Sequence, residues 1–187
     1  MKNKKFPIKN SLFAIVLILL IIPQTRQKIQ IAVHSVIAKL SPNVESTTNL
    51  KNVSSYNWEL RDLEGKNFNL LEVKNKVVFV NIWATWCPPC IAEMPSIQAL
   101  YNDYNDKIEF VLISNENAET ITKFLKKKNY NLNSYNPQTQ IPETFNVKSI
   151  PRTFLINKNG EIVIDESGAA NWNSETVRAT IDKLLRE

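Results

Sequence analysis

The fold is decided by residues 77–90, VVFVNIWATWCPPC. The first seven residues of this stretch are β-branched or aromatic with almost no polar alternation, which is typical of a strand buried on both faces of a sheet. From Ile91 onward, apolar residues recur at helical spacing as far as Tyr104. The stretch therefore predicts a buried strand that leads directly into a helix, with two cysteines at the junction.

These are the only two cysteines among the 187 residues, and two prolines separate them. Cys87 falls near the N-cap of the predicted helix and Cys90 in its first turn, while Pro88 takes a position where a missing N–H does no harm. A helix N-terminus carries partial positive charge and unpaired N–H groups, which favour a thiolate over a thiol. Cysteines at this spacing indicate a redox couple or half of a metal site.

In the redox interpretation, Cys87 is the outermost sulfur and attacks a disulfide. Cys90 follows about one turn later and resolves the mixed disulfide. Pro89 has no N–H to donate to Cys87, so the N–H of Cys90 is the main remaining donor. We therefore expect weaker stabilisation of the thiolate than in pairs whose inner residues donate, and a couple toward the reducing end of the range.

Three segments resemble one known family. The signature NIWATWCPPC, followed by Pro95, resembles the active site of the thioredoxin superfamily, in particular the membrane-tethered TlpA/ResA-like thiol:disulfide oxidoreductases. Residues 149–156, SIPRTFLI, are similar to the cis-proline segment, and residues 60–66, LRDLEGK, to the opening hairpin. The resemblance implies an α/β thioredoxin fold, with a central mixed β-sheet flanked by helices and an N-terminal β-hairpin extension. It also implies that Pro151 faces the cysteines through a cis peptide bond.

The same resemblance implies an enzyme with no metal and no cofactor other than a redox-active Cys87–Cys90 disulfide. Substrates would bind through main-chain hydrogen bonds beside the cis proline, and the tryptophan before the first cysteine would shield the thiol and offer a flat apolar surface. The implied site residues are Cys87 and Cys90 for catalysis, Trp86, Pro88 and Pro89 as active-site support, and Ile150 and Pro151 for substrate binding. Trp83, inside the apolar strand, is expected in the core.

Asn81 departs from the thioredoxin pattern. In thioredoxin a buried carboxylate six residues before the nucleophile is thought to move the proton of the second thiol, and an amide cannot take up a proton at neutral pH. We expect Asn81 to be buried and hydrogen-bonded to backbone groups. Glu93, one turn past Cys90, could replace the carboxylate, but a glutamate at that position is expected to be a solvated helix residue, so the proton acceptor stays unassigned.

The N-terminus determines the compartment. Four lysines precede an apolar run at residues 12–22, which is the pattern of an export signal. No A-x-A-like cleavage site follows, so we expect residues 1–28 to be retained as a membrane anchor. Positive charge favours a cytoplasmic N-terminus, which places the rest of the chain on the extracytoplasmic (periplasmic) side, where disulfides persist.

The net charge of +5 comes from this N-terminal segment. Residues 1–28 contain six Lys or Arg and no acidic residue, so the remainder has 17 basic residues against 18 acidic ones. A nearly neutral domain has no electrostatic footprint for nucleic acid. A nucleic-acid partner is therefore not expected.

Residues 29–55 are expected to form a juxtamembrane helix and a linker. An apolar stripe within residues 27–40 could lie on the membrane or pair with a partner helix, and His34 within it is expected to be solvated or interfacial. The composition of Ser41–Ser55 is typical of a linker, which would separate the domain from the bilayer. Residues 56–187 form one domain, in which a strand–helix–strand–helix order precedes a hairpin and a final helix capped by Ser174.

Three functional classes follow. The first, which the resemblance implies, is a reductase of exported proteins such as apocytochrome c; a reductant outside the cytoplasm would take electrons from a membrane thiol donor of the DsbD/CcdA type. The second is a copper carrier on the same fold, since cysteine pairs bind soft metals; its usual histidine ligand is missing near the cysteines, because the one histidine of the chain lies far upstream. The third is a peroxiredoxin-type peroxidase, although no Thr and Cys are arranged here as that site requires.

Overall fold

The computed structural model describes residue 13, residues 22–45 and residues 50–187. Within these residues the helices are α1 (Pro23–Ile37), α2 (Pro88–Tyr104), α3 (Ala118–Lys128) and α4 (Glu175–Arg186). Its strands are β1 (Lys51–Asn52), β2 (Glu59–Asp62), β3 (Asn67–Asn69), β4 (Val78–Ile82), β5 (Glu109–Ile113), β6 (Ser134–Pro137), β7 (Arg152–Ile156) and β8 (Glu161–Ser167). Single 3-10 turns lie at Leu70–Val73 and Glu143–Phe145.

The strands form one mixed sheet in the order β1-β8-β7-β4-β5-β6-β2-β3. β4 pairs in parallel with β5 and antiparallel with β7, as expected for a strand–helix–strand unit followed by a hairpin. β2 and β3 form the N-terminal hairpin extension predicted around residues 60–66. The predicted mixed sheet with flanking helices is therefore confirmed.

Strand β4 is buried on both faces, as its unbroken apolar sequence predicts. Phe79 belongs to a core cluster that includes side chains of α2, α3 and α4. Val78 and Val80 point to the other face, into a second cluster with Trp58 and Phe145. Because a strand alternates its side chains, one apolar run supplies both cores and fixes the register of β4 within the sheet.

Helix boundaries follow local capping. The Ser174 side chain accepts a hydrogen bond from the Val177 N–H and caps α4, as predicted. Asn117 caps α3 in the same way, and Asn129 ends α3 in the left-handed conformation with φ 56°. The sequence did not predict β6, because its residues SYNP show neither alternation nor an apolar run. Its pairing with β5 and β2, rather than local propensity, makes it a strand.

The predicted anchor, residues 1–28, lies mostly outside the described residues. Among the residues that the structure does describe, no helix combines the length and apolarity needed to cross a membrane.

Part of the predicted linker contacts the domain. The Glu45 N–H donates to the Val163 carbonyl at 2.9 Å, and β1 adds two residues to the edge of the sheet beside β8. The Asn171 N–H donates to the Leu40 carbonyl at 2.7 Å. The sequence pattern places the start of the domain at residue 56. The residues that make these contacts precede that position. A two-residue strand is too short for alternation to reveal it.

Candidate active site

Cys87 is the N-cap residue of α2, and its Sγ accepts a hydrogen bond from the Cys90 N–H at 3.3 Å. Pro88 and Pro89 occupy the first two helical positions. This is the arrangement that the sequence predicts, including the Cys90 N–H as the donor that remains. The two cysteines form a disulfide with a Cα–Cα distance of 5.3 Å.

The two sulfurs differ little in exposure. Cys87 is 2% exposed and Cys90 is fully buried. Cys87 is thus the outer cysteine of the oxidised protein by a narrow margin. The following helix turn and the segment around Ile150 cover it, and neither contact can be read from the spacing of the motif.

The peptide bond between Ile150 and Pro151 is cis, as the family resemblance implies. The Ile150 carbonyl oxygen lies 3.8 Å from Cys87 Sγ. The last paired position of β7 beside β4 is Arg152, which faces Ile82, so Ile150 lies two residues beyond that ladder. The structure therefore brings Ile150 and Pro151 together with Cys87 at the end of the sheet.

A buried polar cluster lies beneath the cysteines. Asn81 Nδ2 donates to Glu93 Oε1 at 2.9 Å and to Thr153 Oγ1 at 2.7 Å. Glu93 Oε2 accepts from Trp172 Nε1 at 2.9 Å and from the Ala170 N–H at 3.4 Å. The cluster joins β4, α2, β7 and the loop that follows β8 into one network.

Two expectations about this cluster are corrected. Glu93 has no exposed surface, so the interpretation of a solvated helix residue is wrong. Asn81 is buried as expected, but its partners are side chains rather than backbone groups. Neither the burial of Glu93 nor the partners of Asn81 could be predicted from the sequence. Glu93, which accepts from the Asn81 amide, lies on the buried side of α2, and Trp172 comes from a distant loop.

Burial raises the pKa of the Glu93 carboxyl from its ordinary 4.5 to about 8. The hydrogen bonds from Trp172, Asn81 and Ala170 act in the opposite direction, because they stabilise the carboxylate, but desolvation is the larger effect. Asn81 Oδ1 is buried without a donor among the described residues. Because the raised pKa of about 8 lies above neutrality, the Glu93 carboxyl is mostly neutral near pH 7.

Glu116 holds the loop between β4 and the first cysteine. Its carboxylate accepts two hydrogen bonds from Thr85, one from the N–H and one from Oγ1, both at 2.6 Å. Sequence reasoning missed this residue. A signal was present, because β4 and β5 are parallel and their carboxyl ends meet at one edge of the sheet, so a polar residue just after β5 lies beside the cysteine loop.

Replacing Glu116 with alanine should lower the free energy of unfolding of the oxidised protein by about 1–3 kcal/mol, because the Thr85 N–H and hydroxyl lose their acceptor. Urea unfolding measures the change. Glu119→Ala is the matched control, since Glu119 is exposed and pairs only with Lys123 on the surface of α3; its effect should stay within about 0.5 kcal/mol. Equal effects of the two substitutions would show that Glu116 does not hold the loop.

The two tryptophans of the motif differ in exposure. Trp83 is 1% exposed and its Nε1 donates to Ser134 Oγ at 3.3 Å, which confirms its prediction as a core residue. Trp86 is 63% exposed. Trp86 and Ile150 border a cavity of about 300 Å³, and Ile141 and Phe145 are among its apolar lining residues. A recess with an apolar part and a polar part, the latter including Asn115 and Glu116, therefore opens beside Trp86 and Ile150.

Comparison with known proteins adds to this geometry. The family model described as Redoxin matches residues 39–184, well over half of the chain. The chain belongs to the Redoxin family. The match begins upstream of residue 56 and includes residues 40–45, whose backbone contacts the domain.

The relatives of this chain include proteins named thiol-disulfide oxidoreductase ResA. A protein from Bacillus cereus is 38% identical over 111 residues, which are 57% of this chain and 64% of the relative. The protein from Halalkalibacterium halodurans is 35% identical over 117 residues, 60% of this chain and 65% of the relative. The resemblance to ResA-like proteins is thereby confirmed. The matched segment spans just under two thirds of the length of these relatives.

Solved structures share the fold. The thioredoxin domain of a thiol-disulfide oxidoreductase from Bacteroides vulgatus superposes with a TM-score of 0.59 at 23% identity, over 73% of this chain and 99% of that one. A secreted disulfide oxidoreductase from Mycobacterium tuberculosis gives the same TM-score and identity, over 69% of this chain and 97% of that one. These likenesses establish the thioredoxin-like fold.

Proposed function

We propose that this protein is a thiol-disulfide oxidoreductase that reduces disulfides in exported proteins. The observation that carries the proposal is the position of Cys87, whose Sγ accepts the Cys90 N–H and lies 3.8 Å from the Ile150 carbonyl oxygen. The N-terminus of α2 stabilises a thiolate at Cys87. Next to it, the Ile150 backbone lies beyond the paired residues of β4 and β7, which suits attack on an extended substrate.

The reaction starts from the dithiol form. The Cys87 thiolate attacks one sulfur of a substrate disulfide, a mixed disulfide forms, and the other substrate sulfur leaves as a thiolate. Cys90 then loses its proton and attacks Cys87 Sγ, which releases the second substrate thiolate and forms the Cys87–Cys90 disulfide. Two electrons pass to the substrate. Glu93, one helical turn from Cys90, is our proposal for the group that takes up the Cys90 proton. With a raised pKa of about 8, a minority of Glu93 is ionised near neutral pH, and that carboxylate is the form that accepts the proton.

Trp86 and the neighbouring recess are proposed to bind substrate residues that flank the target cysteine. An exposed aromatic ring beside a partly apolar cavity favours apolar side chains without demanding one sequence. The Ile150 backbone next to Pro151 would pair with the substrate main chain. Recognition would thus combine main-chain bonds with a tolerant apolar surface.

Trp86→Ala should weaken binding of protein substrates and leave stability within about 0.5 kcal/mol, because the side chain is mostly solvated. We expect KM for insulin to rise about fivefold or more, as one exposed aromatic contact is worth about 1 kcal/mol. Leu71→Ala is the control, since Leu71 is 53% exposed and does not line the recess. An unchanged KM in the Trp86 variant would show that Trp86 is not part of the binding surface.

The proposed compartment is extracytoplasmic, with the protein held in the cytoplasmic membrane by residues 1–28. The basic residues and apolar run of that segment support export and retention. A reductant outside the cytoplasm needs a supply of electrons, so we propose a membrane thiol donor of the DsbD/CcdA type. Apocytochrome c or a similar exported thiol protein is the proposed substrate.

Trapping in the native compartment tests the proposal. A Cys90→Ser variant cannot resolve the mixed disulfide, so partner proteins should accumulate as adducts on Cys87 that reductant releases. The double variant Cys87→Ser/Cys90→Ser is the matched control and should carry none. Equal recovery of partners from both variants, or none from Cys90→Ser, would contradict the proposal.

The two alternatives give different results on the same protein. Stoichiometric copper that survives purification would support a metal carrier. Peroxide consumption that is lost in Cys87→Ser would support a peroxidase. For the reductase, we expect disulfide exchange without either property.

A further inference from the structure

Helix α1 turns its apolar side away from the protein. The exposed large apolar residues of this region follow helical spacing and share one face, with Val36 66% and Leu40 67% exposed. That outer face consists of Ile22, Ile29, Val33, Val36, Ile37 and Leu40. A surface helix of a soluble domain normally places such a stripe against the core.

The opposite face of α1 is the more covered one. At 100° per residue, the half-buried residues Gln27, Ile31 and His34 and the buried Ala38 lie on the side opposite Val33. Helix α1 lies against α2, the helix that begins at the active-site disulfide. The helix thus presents mostly polar or small residues to the protein and its apolar stripe outward, which is the reverse of the usual arrangement.

The charged residues around the apolar stripe are all basic. Arg26, Lys28 and Lys39 are exposed along residues 22–40, and no Asp or Glu occurs before Glu45. The stripe also continues directly from the apolar run at residues 12–22. At 100° per residue Arg26 lies within the outer face, and Lys28 and Lys39 lie along one side of it. An apolar face with these cations, next to a segment of this composition, matches the chemistry of an anionic bilayer surface, because a long arginine side chain can extend from the face to the headgroups.

We propose that α1 lies flat on the lipid surface, with the outer face among the acyl chains and headgroups. If a second copy of this chain covered the outer face, the cations of the two copies would lie close together and repel each other. Anionic lipid headgroups neutralise these cations instead. The proposal concerns residues 22–40, so any membrane-spanning part of the predicted anchor would end by Ile22.

Hydrogen bonds of the residues that follow α1 would fix the orientation of the domain relative to the bilayer. The Leu40 carbonyl accepts from the Asn171 N–H at 2.7 Å, and the Glu45 N–H donates to the Val163 carbonyl at 2.9 Å. The Asn43 N–H donates to Glu166 Oε2 at 3.2 Å. Because these bonds tie the end of α1 to the domain, lipid contact along α1 would hold α2 and its disulfide at a defined distance from the bilayer.

Depth-dependent fluorescence quenching tests the proposal on the full-length chain, one copy per nanodisc of phosphatidylcholine and phosphatidylglycerol. Val33→Trp places a reporter on the outer face, and Leu71→Trp places one at a similarly exposed apolar position outside α1. The emission of each variant, after subtraction of the parent protein, is compared in nanodiscs with and without brominated acyl chains. The parent supplies the contribution of the four native tryptophans.

We expect the added signal of Val33→Trp to be quenched at least about twofold more than that of Leu71→Trp, with less quenching when phosphatidylglycerol is omitted. Equal quenching of the two reporters would overturn the proposal. A blue-shifted Val33→Trp signal that brominated lipid does not quench would also overturn it, and would indicate that a protein surface covers the face instead.

Discussion

Insulin reduction by the purified protein should fall about a thousandfold or more, to the uncatalysed rate, when Cys87 is replaced by serine. A hydroxyl at the N-cap can still accept the Cys90 N–H and so preserves the start of α2. It cannot attack a disulfide, because the reaction requires a thiolate. We expect that Cys90 does not take over the attack, since it lies within the first turn of α2 and lacks the N-cap position that stabilises a thiolate at Cys87.

Two further measurements make the loss interpretable. Far-ultraviolet circular dichroism and thermal unfolding of Cys87→Ser should match those of the reduced parent, because serine fits the same cap. Cys90→Ser should lose multiple turnover but still release one substrate thiol per protein. Release of the same amount of substrate thiol per protein by the two variants in a single turnover would mean that the cysteines do not have distinct roles.

Replacing Glu93 with glutamine should change how stability depends on pH. Burial raises the pKa of Glu93 to about 8 in the folded protein, against about 4.5 when unfolded. Between these values the folded state holds a proton that the unfolded state has released, so the parent loses stability as pH rises through this window. The loss from pH 5 to pH 8 is at most about 4 kcal/mol. Glutamine does not titrate, so Glu93→Gln should lack this part of the decline.

Urea unfolding of both oxidised proteins at pH 5, 6, 7 and 8 measures the difference between them. Glutamine is uncharged, as the protonated acid is, and its oxygen can accept from Trp172. The same slope in both proteins would show that Glu93 is already ionised at pH 5. Trp172→Phe gives a second test, because it removes a hydrogen bond that lowers the Glu93 pKa, and the decline should then extend to higher pH.

The sequence predicted the elements whose signals are local. The unbroken run at Val77–Trp83 identified the central strand, and the prolines after Cys87 placed the start of α2 to the residue. The cap at Ser174 and the hairpin before α4 were equally local, since each depends on a few adjacent residues. In each case the physical cause lies within one turn of helix or one strand.

The remaining features depend on partners that are distant in sequence. Glu93 is one turn from Cys90, yet its burial results from Trp172, 79 residues later. Glu116 reaches Thr85 only because two parallel strands end side by side. The outward stripe of α1 was visible as a pattern, but which side of the helix meets the protein depends on α2. No periodicity within a single segment contains that information.

The central claim is that Cys87 Sγ is the atom that attacks. The most direct measurement treats reduced Cys90→Ser with a disulfide-linked peptide at neutral pH and locates the adduct by tryptic mass spectrometry over time. The account predicts one peptide per protein, attached to Cys87 and removed by reductant, while Cys87→Ser acquires none on the same timescale. An adduct that forms on Cys90 of Cys87→Ser at a similar rate, or no adduct on Cys87, would contradict it.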